Sequence, residues 1–277
     1  MAVVAAALAM TGCDVKSKAS AEESESTAKA GVGSGSDAAP KAASASAPAN
    51  TGKFIYKMDP ADSAELKIYE ALFKPGSRIE AVVTAMGVYA LPRNVPVVAG
   101  QCGRVNASYM PSKHAISICY ELADAFYKNF LDAGRDDPTA SKLTLDALTF
   151  TVLHEMGHAL VQELELGVTG GEEDAVDDLA ALILIQNKKA DWAIAGPQAL
   201  ISLTKNHPPK YFAEHSVSEQ RLGNVLCMVF GSDPQGQQNM LETIPELRPR
   251  APKCPKEYTQ KDKAWTMLLE PHTRKAG

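Results

Sequence analysis

The stretch KLTLDALTFTVLHEMGHALVQELEL, Lys142 to Leu166, decides how the rest of the chain is read. Its residues Leu145, Leu148, Val152, Met156, Ala159 and Leu160 fall three and four apart, the spacing of one buried face of an α-helix. Gly167 just beyond is the expected C-terminal cap, and Asp136-Asp137-Pro138 ahead breaks the chain from a preceding helix. Within the helix, His154-Glu155-Met156-Gly157-His158 puts two imidazoles on one face about one turn apart. Two histidines so spaced can fill two positions of a tetrahedral zinc. Glu155, one residue past the first, projects to the side, where it can hold a water rather than the metal.

A catalytic zinc takes three protein ligands and keeps one position open, so a third ligand is needed. After Thr169-Gly170-Gly171 a second helix opens on Glu172-Glu173-Asp174, acids suited to the positive end of its dipole, and Leu179, Leu182 and Ile183 then give it a core face. Alone, those acids would read as a capped first turn. Next to the histidine pair, Glu173 is the expected ligand, because Asp177 follows it by four residues and can accept a hydrogen bond from a ligand histidine. Four residues beyond Glu172 lies Val176, which cannot do so; Asp174, followed by Asp178, is the rival.

Outward from this pair of helices the chain alternates short strands and helices. Phe54-Ile55-Tyr56, Val95 to Val98 and Ala115 to Tyr120 read as strands, the last a core strand or an edge that an extended peptide joins. Helices are expected over 64–73, 79–86, 121–133, 192–204 and 209–230, which makes the fold class α+β, mainly α-helical, with a small sheet.

The composition excludes some partners. The net charge is -5 and Lys and Arg are scattered, so nothing gathers a nucleic-acid backbone. Met1 to Gly12 is almost wholly small or apolar and leads into Cys13, resembling the lipobox of a bacterial lipoprotein signal, although no Lys or Arg precedes the apolar run. Residues 14–52 hold no aromatic side chain and cannot bury enough apolar surface to offset their ordering entropy, so they read as a tether to a folded domain over 53–277. With Cys13 lipidated, Cys102, Cys119, Cys227 and Cys254 remain, an even set that suggests two disulfides in an exported protein. Three pairings are possible; Cys102 with Cys119 and Cys227 with Cys254 is favoured because each pair flanks one local segment.

His154-Glu155-Met156-Gly157-His158 followed by Glu173-Asp174-Ala175-Val176-Asp177 resembles the gluzincin pattern of thermolysin-like enzymes, with a short interval between its halves. From about Phe54 onward the chain resembles more closely a bacterial family described as metallopeptidases. Cys102-Gly103, Ile118-Cys119-Tyr120-Glu121-Leu122, Glu172-Glu173-Asp174-Ala175, His215-Ser216 and Gly231-Ser232-Asp233-Pro234 carry that likeness. The resemblance implies a zincin-like core and a Zn2+ cofactor but supplies no substrate; the partner expected from the site's chemistry is a peptide or protein substrate. On that footing Glu155 is the expected general base, and a donor to the developing oxyanion is sought in His215 or Arg221, with Tyr211 third. His114, His207 and His272 show no ligand spacing and read as surface residues. The expected protein is a zinc metallopeptidase on the periplasmic side of the cell envelope. The alternatives are a non-catalytic zinc-containing binding module or a non-peptidic amidase.

Overall fold

The computed structural model describes residues 50–204 and 218–274; Cys13, most of the expected tether, His207, Tyr211 and His215 lie outside them. β1 (Phe54–Met58) leads through three short helices, α1 (Ala64–Lys67), α2 (Glu70–Phe73) and α3 (Arg78–Ala85), to β2 (Val95–Gly100). Such a crossover is what two parallel strands require, and β1 and β2 pair in parallel. The single helix expected over 64–73 is two, because i→i+3 bonds from Tyr69 to Leu66 and from Leu72 to Tyr69 tighten the chain between them. β3 (Ala107–Met110) and β4 (Ala115–Cys119) then form a hairpin, and β4 also pairs in parallel with β2, giving the order β1-β2-β4-β3. β4 is therefore internal. The edges are β1 and β3, and the Ala-Ser-Tyr-Met sequence of β3 carries no alternation to announce it.

α4 (Tyr120–Asp132) follows β4 at once, and Gly134, at φ 79, ends it. α5 (Asp137–Glu163) starts five residues earlier than expected. Asp136 caps it by accepting from the Thr139 N–H at 3.0 Å, and Pro138 sits in the first turn, where no N–H is needed. Its C-terminus is closed by Glu165 in the left-handed region (φ 51) and by the Leu166 N–H donating to the Val161 carbonyl at 2.9 Å, so Gly167 is not the cap. The one-sided burial expected of this helix is also corrected. From Ala147 to Gly157 every residue is buried, because α3, α4, β3, β4 and the helices that follow enclose α5 on all sides. Its buried threonines satisfy their hydroxyls locally: Thr144, Thr149 and Thr151 donate to carbonyls four residues back.

α6 (Glu172–Gln186), α7 (Ala190–Thr204), α8 (Ser218–Ser232), α9 (Met240–Thr243) and α10 (Cys254–Leu269) complete the described chain. α6 and α7 pack on α5, and α10 packs on α8. The sequence reading did not anticipate α10. Both favoured disulfides are present, Cys102 to Cys119 joining the loop after β2 to the end of β4, and Cys227 to Cys254 joining α8 to α10. Among the described residues no helix is long and apolar enough to cross a membrane.

Candidate metal centre

α5 presents His154 and His158 on the side facing α6, and two features bring the helices close enough for α6 to answer them. Gly157 has no side chain where Val176 packs: a Cβ there would lie 2.9 Å from the Val176 Cβ. The Gly170-Gly171 turn, with Gly170 at φ 93, reverses the chain so that the first turn of α6 lies beside the histidines.

Glu173 reaches both imidazoles. One carboxylate oxygen lies 3.2 Å from His154 Nε2, the other 3.3 Å from His158 Nε2, and the two Nε2 atoms are 3.2 Å apart. A tetrahedral zinc with bonds of about 2.0–2.1 Å holds its donor atoms about 3.3 Å from one another. The two Nε2 atoms stand at about that separation and each lies against one oxygen of Glu173, so the three residues converge, with a ligand atom from each within 4.8 Å of the others, as a group that could hold a metal ion.

The outer nitrogens are held as well. His154 Nδ1 lies 2.8 Å from Asp177 Oδ1, and His158 Nδ1 lies 2.8 Å from Glu172 Oε1. An ionised carboxylate only accepts, so each Nδ1 is the donor and each Nε2 is turned toward the shared point. Glu172 thus orients the second histidine, a role the sequence reading missed by looking only for a partner four residues ahead. The usable signal was that two ligand histidines each need an acceptor, with two acids at hand. Gln162 Nε2 steadies Glu172 at 3.1 Å.

Arg221, proposed from sequence as an oxyanion donor, is committed elsewhere. Its Nε and Nη2 both donate to Asp177, at 2.5 and 2.7 Å, a two-point contact that fixes this carboxylate under His154. Burial alone would raise the pKa of Asp177, but Arg221 and His154 outweigh it and hold the group below its ordinary value. Burial likewise pushes His154 down, and Asp177 and Glu173 more than offset this, taking it to about 9; His158 is also raised against its burial, chiefly by Glu173. A metal must therefore displace a proton to bind.

Glu155 is buried and points toward the sheet, where its Oε2 accepts the backbone N–H of Tyr109 in β3 at 2.7 Å. His114 is not the plain surface residue expected: its Nδ1 contacts the buried carboxylate of Glu163 at 2.7 Å. A cavity of about 610 Å³ lies against other residues of α6, between the Gly167–Gly171 turn and Trp265 of α10, and none of His154, His158 and Glu173 lines it.

Fold and site together define a mainly helical α+β protein whose central helix carries two histidines of a group that could hold a metal ion. Residues 58–269 match the model of the DUF4344 family, described as "Putative metallopeptidase", and the chain belongs to that family. Neither the curated proteins nor the solved structures give a significant match.

Proposed function

We propose that this protein is a zinc-dependent metallopeptidase, and the observation that carries the reading is the three-way spacing of His154 Nε2, His158 Nε2 and Glu173, with Glu155 one residue from the first ligand. Zinc bound there would polarise a scissile carbonyl and bring the pKa of water toward about 7. Glu155 takes the proton from the attacking water as its oxygen bonds to the carbonyl carbon and the carbonyl becomes an oxyanion, then gives that proton to the leaving nitrogen as the C–N bond breaks and the carbonyl re-forms. Asp177 and Glu172 hold the imidazoles in register through the cycle, and Arg221 holds Asp177. His215 remains the candidate donor to the oxyanion. β3 has an outward edge beside Glu155, and an extended peptide can add to such an edge by main-chain hydrogen bonds.

The envelope location is part of the same proposal. Cys13 would carry the lipid and residues 14–52 the tether, and the two disulfides suit an oxidising compartment. Cys13→Ser should remove the lipid mass and the membrane fraction; unchanged values for both would refute the anchor. For the activity, the purified protein should contain about one zinc and digest an unbiased peptide library, lose cleavage to a chelator and regain it on adding zinc. Stoichiometric zinc without cleavage of any peptide would favour the non-catalytic module, and cleavage that survives full removal of metal would reject the reading.

A further inference from the structure

Tyr109 touches the central helix at two points. Its backbone N–H donates to Glu155 at 2.7 Å, and its phenol donates to Glu163 Oε1, also at 2.7 Å. The two acids are eight residues apart on α5, about 12 Å along the axis at the helical rise. The Glu163 side chain is only 2% exposed, and a carboxylate so buried is costly unless its charge and lone pairs are answered. Three groups answer it: the Tyr109 phenol, His114 Nδ1 at 2.7 Å and Arg93 Nε at 3.2 Å. Arg93 Nη1 in turn lies 2.9 Å from His114 Nε2. His114 adopts the left-handed region (φ 48) at the turn joining β3 to β4, a conformation a non-glycine residue keeps only where its surroundings impose it. Burial and the Glu163 carboxylate raise the pKa of the Tyr109 phenol well above its ordinary value, so it stays a donor through the neutral range.

In an antiparallel pair, residues alternate between turning both main-chain polar groups toward the partner and turning both away. The bond to Glu155 puts Tyr109 in the outward set, so its carbonyl faces the open edge of the sheet next to the N–H that Glu155 engages.

We propose that Tyr109 is a positioning residue: its phenol on Glu163 locks β3 onto α5, and the lock holds its backbone N–H against Glu155 and sets the strand edge that a peptide substrate would join. The catalytic consequence rests on the peptidase reading; the lock itself does not. One attachment would let the strand pivot, whereas two attachments along the helix fix both its height and its tilt. Glu155 and the substrate edge are then placed by the same residue.

Tyr109→Phe tests this, since it removes one hydroxyl and keeps the ring. Amide hydrogen exchange, with and without added zinc, should show the Tyr109 amide exchanging about tenfold faster in the variant, the equivalent of about 1.4 kcal/mol. The amides of β1 and the affinity for zinc should stay within about twofold. On the peptide that wild type cleaves best, kcat should fall about tenfold or more with KM within about twofold. Unchanged exchange at Tyr109 overturns the lock, whether or not the protein is a peptidase. Faster exchange with kcat unchanged overturns the positioning role. A wild-type protein that cleaves nothing overturns the peptidase reading, and the exchange result alone then decides the lock.

Discussion

Glu173 is one of three successive acids, and rotation by about 100° per residue turns their side chains apart, so only one is expected at the point the two Nε2 atoms share. That argument needs no structure, and the geometry puts Glu173 within 3.3 Å of both Nε2 atoms. Asp177 was legible for the same reason, being one helical turn further on. The role of Arg221 was not, because it depends on how α8 returns to the site and no local pattern encodes that, whereas Glu172 was open to the argument that the second histidine also needs an acceptor. Glu173→Ala should cost more than about 100-fold in zinc affinity, Glu172→Ala about 10-fold or more through the loss of the His158 partner, and Asp174→Ala little. Competition with a chromogenic chelator measures all three, and a larger loss at Asp174 would move the ligand there. Proton competition gives a second test. The folded pKa of His154 is about 9, above its ordinary value, so below about pH 9 each zinc bound must release a proton. Zinc affinity should rise roughly tenfold per pH unit from about 7 to 9, beyond any change in the competing chelator, and a flat profile would contradict the assignment. Without metal the sign for stability is opposite: a raised histidine pKa stabilises the fold below about 6.5, and this contribution is lost as pH rises through about 9.

At the scale of elements, the long helix and its histidines were plain in the sequence, because apolar periodicity and a five-residue motif are local signals. Its environment was not. A helix that looks one-sided by its aliphatic residues is enclosed by its neighbours, with threonines and Asp146 satisfied internally by the α5 backbone, Arg78 and Lys142. β3 went unseen since four residues without alternation give no period, yet it supplies the N–H that meets Glu155. α10 hides for a related reason: Cys254–Leu269 is strongly polar and buries only Cys254, Trp265 and Leu269. The α5–α6 contact is the most sensitive of these features. Gly157→Ala should destabilise the protein by about 1–3 kcal/mol, since the new methyl meets Val176, and should weaken zinc binding by pushing Glu173 away. Adding Val176→Ala should recover most of the zinc affinity. Isothermal titration and thermal melts of the two variants measure this, and an unaffected single variant would show that the close approach is not required.

Over the described residues, a sheet and helices are arranged around one central helix, which brings the candidate site to the face where α6 and β3 meet it. Three of the four strands and the mainly helical character followed from the sequence, whereas the strand order β1-β2-β4-β3 did not, and both disulfide pairs fell where short separations suggested. Cys227 to Cys254 ties α10 to α8, the helix that delivers Arg221 to Asp177. Replacing both cysteines with alanine should therefore cost about 2–4 kcal/mol of stability by chemical denaturation while leaving Cys102 to Cys119 intact. An unchanged midpoint would mean that packing alone holds α10. The central claim is that His154, His158 and Glu173 hold a zinc ion whose chemistry Glu155 serves. Glu155→Gln tests it most directly, because the amide keeps the shape of the side chain but cannot take a proton. Measured side by side with wild type, the variant should keep its melting temperature and one zinc per chain and lose peptide cleavage by at least about 100-fold; cleavage at the wild-type rate by zinc-loaded Glu155→Gln would contradict the account.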